Sequence, residues 1–262
     1  MPGLPIDALL PDLRRTLAGA PAAVLQAPPG AGKTTRVPLA LLDAEWLGNR
    51  KIVMLEPRRL AARAAARFMA HSLGEAVGQR VGYRVRLDTK VGPGTRIEVV
   101  TEGILTRMLQ HDPALQQVGL VVFDEFHERS LQADLALALC LDVQGALRED
   151  LRLLVMSATL DGAAVARLLD DAPVLTSAGR SYPVETRYRP TRALFAREPG
   201  AFCEEVAQAV RAALQEQSGS LLVFLPGEAE IRRVERALQS ARLGAEVTLA
   251  PLYGQLTALA QD

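Results

Sequence analysis

Aromatic residues make up only 4% of this 262-residue chain, so its core must be built from aliphatic side chains. Leu, Ala and Val dominate a composition that is 49% hydrophobic, enough to bury a substantial core in one large or two small domains. No apolar run approaches the length of a membrane span. The N-terminus carries no charged region followed by an apolar one, so no export signal is read and a cytoplasmic location is expected. Cysteine is scarce. Cys140 and Cys203 both fall in apolar helical contexts and read as reduced core thiols rather than a disulfide. Three histidines without a Cys/His cluster leave no zinc site. Basic and acidic residues balance at 30 each, which excludes a globally basic nucleic-acid binder; any basic surface must be local.

Two segments stand out against these absences. The first is Ala27-Pro28-Pro29-Gly30-Ala31-Gly32-Lys33-Thr34-Thr35, which follows the apolar stretch Ala22–Gln26 and precedes the helix-like Val37–Leu42. A strand, a glycine-rich turn and a helix N-terminus in that order present backbone N–H groups to a triphosphate. Lys33 would place its ammonium on the β- and γ-phosphates, and the Thr34 hydroxyl would coordinate Mg²⁺. Ala27 stands where the general pattern has its first glycine, a position that alanine tolerates when φ is negative. The second segment, Asp124-Glu125-Phe126-His127-Glu128-Arg129, ends the apolar run Leu120–Phe123. It would deliver Asp124 to the metal through water and Glu125 to the metal's edge and the attacking water. Together, in this order, the two segments indicate a nucleotide hydrolase using ATP and Mg²⁺.

The rest of the chain alternates strands and helices. Val/Ile/Leu-rich runs end near residues 26, 56, 101, 125 and 159; apolar on both faces, they read as buried parallel strands. Helices are expected over Arg59–Leu73, Gly103–Gln110 and Leu131–Leu147. In the last, Leu131, Leu135, Ala138 and Leu139 make one apolar stripe, expected to face the core. The short run Pro173–Thr176 would complete this first domain. Ser177–Pro199, with four Gly or Pro and five arginines, reads as a linker. Beyond it come a helix over Ala201–Gln217, a strand over Leu221–Leu225, a helix over Glu228–Leu238 and a strand around Val247–Leu249.

Four more segments narrow the class: Leu55-Glu56-Pro57-Arg58-Arg59-Leu60, Thr101-Glu102-Gly103-Ile104-Leu105, Ser157-Ala158-Thr159 and Leu221–Gly227. With the first two, in this order, the chain resembles superfamily 2 helicases of the DEAH/RHA group, most closely the bacterial HrpB type. The resemblance runs from about Leu4 to Gln255; Phe126, where the group usually has Ala, fits that subgroup. It implies an α/β architecture. A P-loop RecA-like domain with a mostly parallel sheet spans residues 1–177, a linker covers 178–199, and part of a second RecA-like domain covers 200–262. It implies that Ala27, Gly30, Ala31, Gly32, Lys33, Thr34 and Thr35 hold ATP, and that His127 couples the nucleotide site to Ser157, Ala158 and Thr159. The plain alternative for His127 is a bond to the start of the next helix. The resemblance also implies that Arg58, Arg59 and Thr101 touch the backbone of a single-stranded nucleic acid, RNA in preference to DNA.

Solvated arginines would look the same as Arg58 and Arg59, and an N-cap role accounts equally well for Thr101. Arg84, Arg86 and Arg96 flank a turn at Gly92-Pro93-Gly94 and would extend a basic track. Arg63 and Arg67, one helical turn apart, are candidates to lie against adenine, and Trp46 reads as packing. The family's arginine-finger run, of Gln-x-x-Gly-Arg-x-Gly-Arg type, has no match. Arg232, Arg233, Arg236 and Arg242 read as a solvated face. The expectation is therefore a monomeric, truncated helicase core with feeble turnover. Two other classes remain open: a nucleotide-switched nucleic-acid-binding or interaction module, and a small-molecule P-loop kinase, in which Pro57-Arg58-Arg59 and Ser157-Ala158-Thr159 have no ready role.

Overall fold

A computed structural model describes residues 3–158, 162–177, 183–191, 197–241 and 243–257. The chain divides into two compact units, Met1–Tyr182 and Pro183–Asp262.

The first unit is built on one eight-stranded sheet. Its strands are β1 (Ala22–Gln26), β2 (Lys51–Leu55), β3 (Val81–Val85), β4 (Asp88–Lys90), β5 (Ile97–Val100), β6 (Val118–Phe123), β7 (Arg152–Ser157) and β8 (Val174–Thr176), in the order β4-β3-β5-β2-β6-β7-β1-β8. All neighbours run parallel except β4, which turns back on β3 as an antiparallel hairpin. β1, β5 and β6 are buried at every residue, which is why they read as unbroken apolar runs.

Alternate residues of the same strands nevertheless serve different layers. Ala23, Leu25, Ile52, Met54, Val122 and Leu154 pack with α1 (Leu10–Gly19), α2 (Lys33–Leu41) and α3 (Arg59–Ser72). Val24, Val53, Leu55, Val121, Phe123 and Val155 pack with α4 (Glu102–His111), α5 (Leu131–Ala146) and α6 (Gly162–Leu168).

One expectation needs correcting in this unit, and one element was not foreseen. The α5 stripe of Leu131, Leu135, Ala138 and Leu139 is for the most part not the core face: Leu131 is 81% exposed, Leu135 is 43% exposed and Ala138 is exposed too, while Leu139 is half-buried against the core. Ala133, Ala136, Leu137, Cys140 and Val143 face inward instead. The helix is apolar almost all round, so periodicity could not choose a face. Ser130 sets the helix start by accepting the Ala133 N–H on its Oγ (3.0 Å), and packing does the rest. The β3–β4 hairpin was not anticipated either. β4 is only three residues long, two of them charged, and the tip of the hairpin is Leu87, 95% exposed at φ +66°.

In the second unit α7 (Pro199–Glu216) and α8 (Glu228–Ser240) bury Cys203, Ala207, Val234 and Leu238 between them. The strands expected at Leu221–Leu225 and Val247–Leu249 are not formed among the described residues; both runs lack a ladder, and Leu222 and Phe224 are 79% and 87% exposed. A strand is stable only through neighbours that share its hydrogen bonds, and these two runs do not pair.

Candidate nucleotide site

The functional segments meet because the C-terminal ends of the parallel strands lie side by side, where open α/β sheets bind ligands. Ala27 N–H donates to the Ser157 carbonyl (3.1 Å), Asp124 N–H to that of Leu55 (3.0 Å), and Glu56 N–H to that of Val100 (2.9 Å). Strand β7 separates β1 from β6, so Ser157-Ala158 sits between the glycine-rich loop and Asp124-Glu125.

The loop is shaped by two left-handed glycines, Gly30 at φ +76° and Gly32 at φ +95°. At Gly32 the backbone conformation is the main demand for glycine, and a Cβ there would in addition push the Leu4 side chain aside, 2.7 Å from its Cδ1. Gly32 caps α2, whose first turn carries Lys33, Thr34 and Thr35 and leaves its N–H groups without intrahelical partners. Ala27 and Ala31 are buried walls, and the Ala31 carbonyl accepts the Ile6 N–H (3.2 Å). Lys33 is only 4% exposed, and its Nζ donates to the Ala27 carbonyl at 2.5 Å. The lysine thus spans its own loop, and a phosphate would have to take over that carbonyl's place.

Asp124, 2% exposed, receives the Glu125 N–H on Oδ1 (2.9 Å), while Oδ2 is buried without an aligned partner. Burial pushes its carboxyl up to about 6, the Glu125 charge adds to the shift, and the Thr34 hydroxyl and Lys33 ammonium oppose it. Glu125 itself sits at φ +49° ahead of a single 3-10 turn, Phe126–Glu128, and Arg129 closes that turn, again at φ +49°. Two non-glycine residues in this region cost about 1–3 kcal/mol each, so the turn must be held by its surroundings. Phe126 supplies the anchor: it is buried, with its ring edge-on to Phe123 at 6.2 Å.

His127 connects two of the segments. Its Nδ1 accepts the Ala158 N–H at 3.3 Å, and its Nε2 faces Glu125 Oε2 at 3.4 Å. An accepting Nδ1 carries no proton, so the ring N–H belongs to Nε2 and points at the Glu125 carboxylate. The sequence alternative, a bond to the next helix start, is filled instead by Ser130. Ser157 is buried beside the loop, whereas Thr159 lies outside the described residues.

The residues present suit a magnesium–nucleotide complex. The loop offers a helix N-terminus opened by left-handed glycines, with an ammonium beside it. Asp124 offers a buried, unsatisfied carboxylate oxygen whose charge a divalent cation would favour. Among the described residues no group of three or more His, Cys, Asp or Glu is placed to hold a metal alone. Magnesium bound through one carboxylate, a hydroxyl, phosphate oxygens and water needs no such group.

The sequence profile described as "DEAD/DEAH box helicase" matches residues 13–168. The chain belongs to the DEAD/DEAH box helicases. It is 56% identical over 257 residues to the ATP-dependent RNA helicase HrpB of Escherichia coli K12, covering 98% of this chain and 31% of that protein. It is 33% identical to an HrpA homologue of Haemophilus influenzae, covering 99% of this chain and 20% of the relative. The crystal structure of the E. coli DEAH/RHA helicase HrpB aligns at TM-score 0.90 and 55% identity, over 98% of this chain and 32% of that one. The chain thus spans about a third or less of the length of these relatives. The mostly parallel sheet is the RecA-like helicase fold of that structure.

Within this helicase domain the residues read as nucleic-acid contacts differ in their exposure and in what they already bind. Arg58 and Arg59 are exposed where β2 gives way to α3. Thr101 is the N-cap residue of α4, as its capping account has it, although its side chain makes no capping hydrogen bond. Arg84 is spent on Glu98 (2.8 Å), and Arg96 on the Arg50 and Gly48 carbonyls, so neither extends a track; Arg86 remains exposed. Arg63 pairs with Asp88 (2.9 Å). Trp46 packs on the core and lies under the Arg152 guanidinium (5.1 Å). In the second unit Arg232 is held by Glu228 and the Tyr253 hydroxyl, while Arg242 lies outside the described residues.

Two acidic residues here were not singled out from the sequence. Glu56, 2% exposed, directly follows β2 with Oε1 buried and unpartnered. Burial above all, and then the charge of Asp124, raise its carboxyl to about 8. Glu128 accepts Arg58 Nη2 on its Oε1 at 2.7 Å. A charged residue directly after an apolar strand was the one available signal for Glu56; nothing local marked Glu128.

Proposed function

We propose that this chain binds Mg·ATP on the loop Ala27–Thr35 and couples its hydrolysis to movement along a single-stranded nucleic acid. The printed names of its relatives, ATP-dependent RNA helicases, favour RNA. The observation that carries the reading is the His127 link between Glu125 and Ala158, which ties the carboxylate expected to work on water to the strand end beside the phosphate loop. We take residues 1–177 as the ATP-binding domain, 178–199 as a linker and 200–262 as belonging to a second RecA-like domain.

In this mechanism backbone N–H groups of the Gly30–Thr35 stretch receive the phosphates, and Lys33 exchanges the Ala27 carbonyl for phosphate oxygens. Magnesium, when bound, neutralises charge that develops on the phosphates; Thr34 and Asp124 are the groups that would hold it, Asp124 through water. Glu125, fixed by its strained turn and by the His127 ring, orients the attacking water and takes its proton. His127 passes any displacement of Glu125 to Ser157-Ala158. Arg58, Arg59 and Thr101 grip the strand's phosphates without reading its bases.

The test is Glu125→Gln, which keeps shape and removes the carboxylate. Nucleotide affinity measured by calorimetry should persist while steady-state phosphate release, followed in a version extended through the family's arginine-finger run so that turnover is measurable, falls by about 10²- to 10⁴-fold. Unchanged release would remove Glu125 from the chemistry. A nucleotide-switched binding module would bind Mg·ATP and single strands, but parent and variant would show the same negligible release.

A further inference from the structure

The reading of Arg58 as a strand contact leaves a conflict that the structure makes concrete. Arg58 is the exposed N-cap residue of α3, and its guanidinium is already taken. Nη2 donates to Glu128 Oε1 at 2.7 Å, with the two side chains 64% and 39% exposed. Glu128 is the last residue of the strained 3-10 turn that begins just after Glu125. Its carboxylate presents to the guanidinium what a phosphodiester presents, a pair of anionic oxygens for a planar fork of donors. Both groups cannot use the same N–H donors at once.

We propose that Glu128 is an intramolecular occupant of the phosphate site at Arg58, which a nucleic-acid strand must displace in order to bind. The inference rests on Arg58 contacting the strand, and it adds a competitor and a place where strand binding meets the nucleotide site. Three observations support the arrangement. An ion pair this exposed is weak, so a phosphate can replace it. Glu128 cannot follow Arg58 toward the strand, because the 3-10 turn is anchored by Phe126 in the core. Glu128 also shares a cavity of about 230 Å³ with Asp124, Glu125, Pro57 and Glu102, so the displaced carboxylate stays beside the groups that handle water.

The experiment measures binding of a fluorescent single-stranded homopolymer RNA to four proteins: the parent chain, Glu128→Gln, Arg58→Ala and the double variant. Glu128→Gln is isosteric at a partly exposed site, so the fold is not at risk. It should bind about two- to five-fold tighter, the range that an exposed ion pair is worth, with the gain shrinking as salt rises. Arg58→Ala should bind more weakly than the parent, and on that background Glu128→Gln should gain little. If Arg58→Ala weakens binding but Glu128→Gln does not tighten it, the competition is wrong and the strand contact stands. An equal gain from Glu128→Gln on both backgrounds would also overturn it, since the effect would then be general charge repulsion. If Arg58→Ala binds like the parent, the contact itself fails, and the competition with it.

Discussion

The Ala158 N–H points at His127 Nδ1, 3.3 Å away, joining the ends of two strands whose segments lie far apart in the chain. Because the other ring nitrogen faces Glu125 Oε2 at 3.4 Å, one imidazole spans the gap between the acid of β6 and the end of β7. A backbone donor selects the tautomer here, so the link does not depend on the side chain at position 158 for any residue other than proline.

His127→Ala should therefore uncouple rather than abolish. Mg·ADP affinity by calorimetry should change by less than about threefold, because the ring's polar partners, the Ala158 N–H and the Glu125 carboxylate, are not part of the phosphate-binding loop. Stimulation of phosphate release by single-stranded RNA should fall about tenfold or more, within the range expected for a positioned acid–base partner. Equal loss of binding and stimulation would show that the ring merely supports the fold.

Lys33→Ala removes the ammonium that now bridges to the Ala27 carbonyl. A charge-assisted hydrogen bond is worth about 1.5–3 kcal/mol, so nucleotide affinity should drop by about 10- to 100-fold. Equal affinity of variant and parent would show that the loop does not hold phosphate.

Glu56 makes stability depend on pH. Its folded carboxyl titrates at about 8 against an ordinary value of 4.5, so the folded state keeps a proton that the unfolded chain has lost. Stability contributed by that protonated form is present at low pH and declines as pH rises from about 4.5 to about 8. Asp124, raised to about 6, adds to the decline only in the lower part of that window. Between pH 6 and 8 the loss should approach, at most, about 2.7 kcal/mol by urea unfolding, and Glu56→Gln should flatten it. An identical slope in the variant would assign the effect elsewhere.

Arg58→Ala combined with Arg59→Ala tests how strands are held. Each phosphate contact on a single strand contributes about 0.7 to the salt slope, so the double variant should bind more weakly to all sequences alike, with a slope flatter by about one to two units. A preserved slope would make these arginines a solvated surface.

Much of this molecule could be read along the chain. The strands that carry the loop, the Asp-Glu pair and Ser157-Ala158 are apolar runs closed by chemistry-bearing residues, and burial on both faces produces that pattern directly. Left-handed glycines and a helix-starting lysine have local signatures as well, so Gly30, Gly32 and Lys33 stood out without a structure. What stayed hidden depended on partners remote in sequence. The inward face of α5 could not be chosen from a helix apolar on every side, and Ser130 with the β6 and β7 side chains decided it. Leu221–Leu225 has the composition of a strand, but a ladder needs neighbours that composition does not supply. Arg58, Arg84 and Arg96 look alike as letters; tertiary contacts with Glu128, Glu98 and the Gly48 and Arg50 carbonyls decided what each does. Sequence determined which groups this chain carries and where its strands end, because those follow from local pattern. The tertiary structure decided which charges remain available, because pairing and desolvation depend on what is brought alongside.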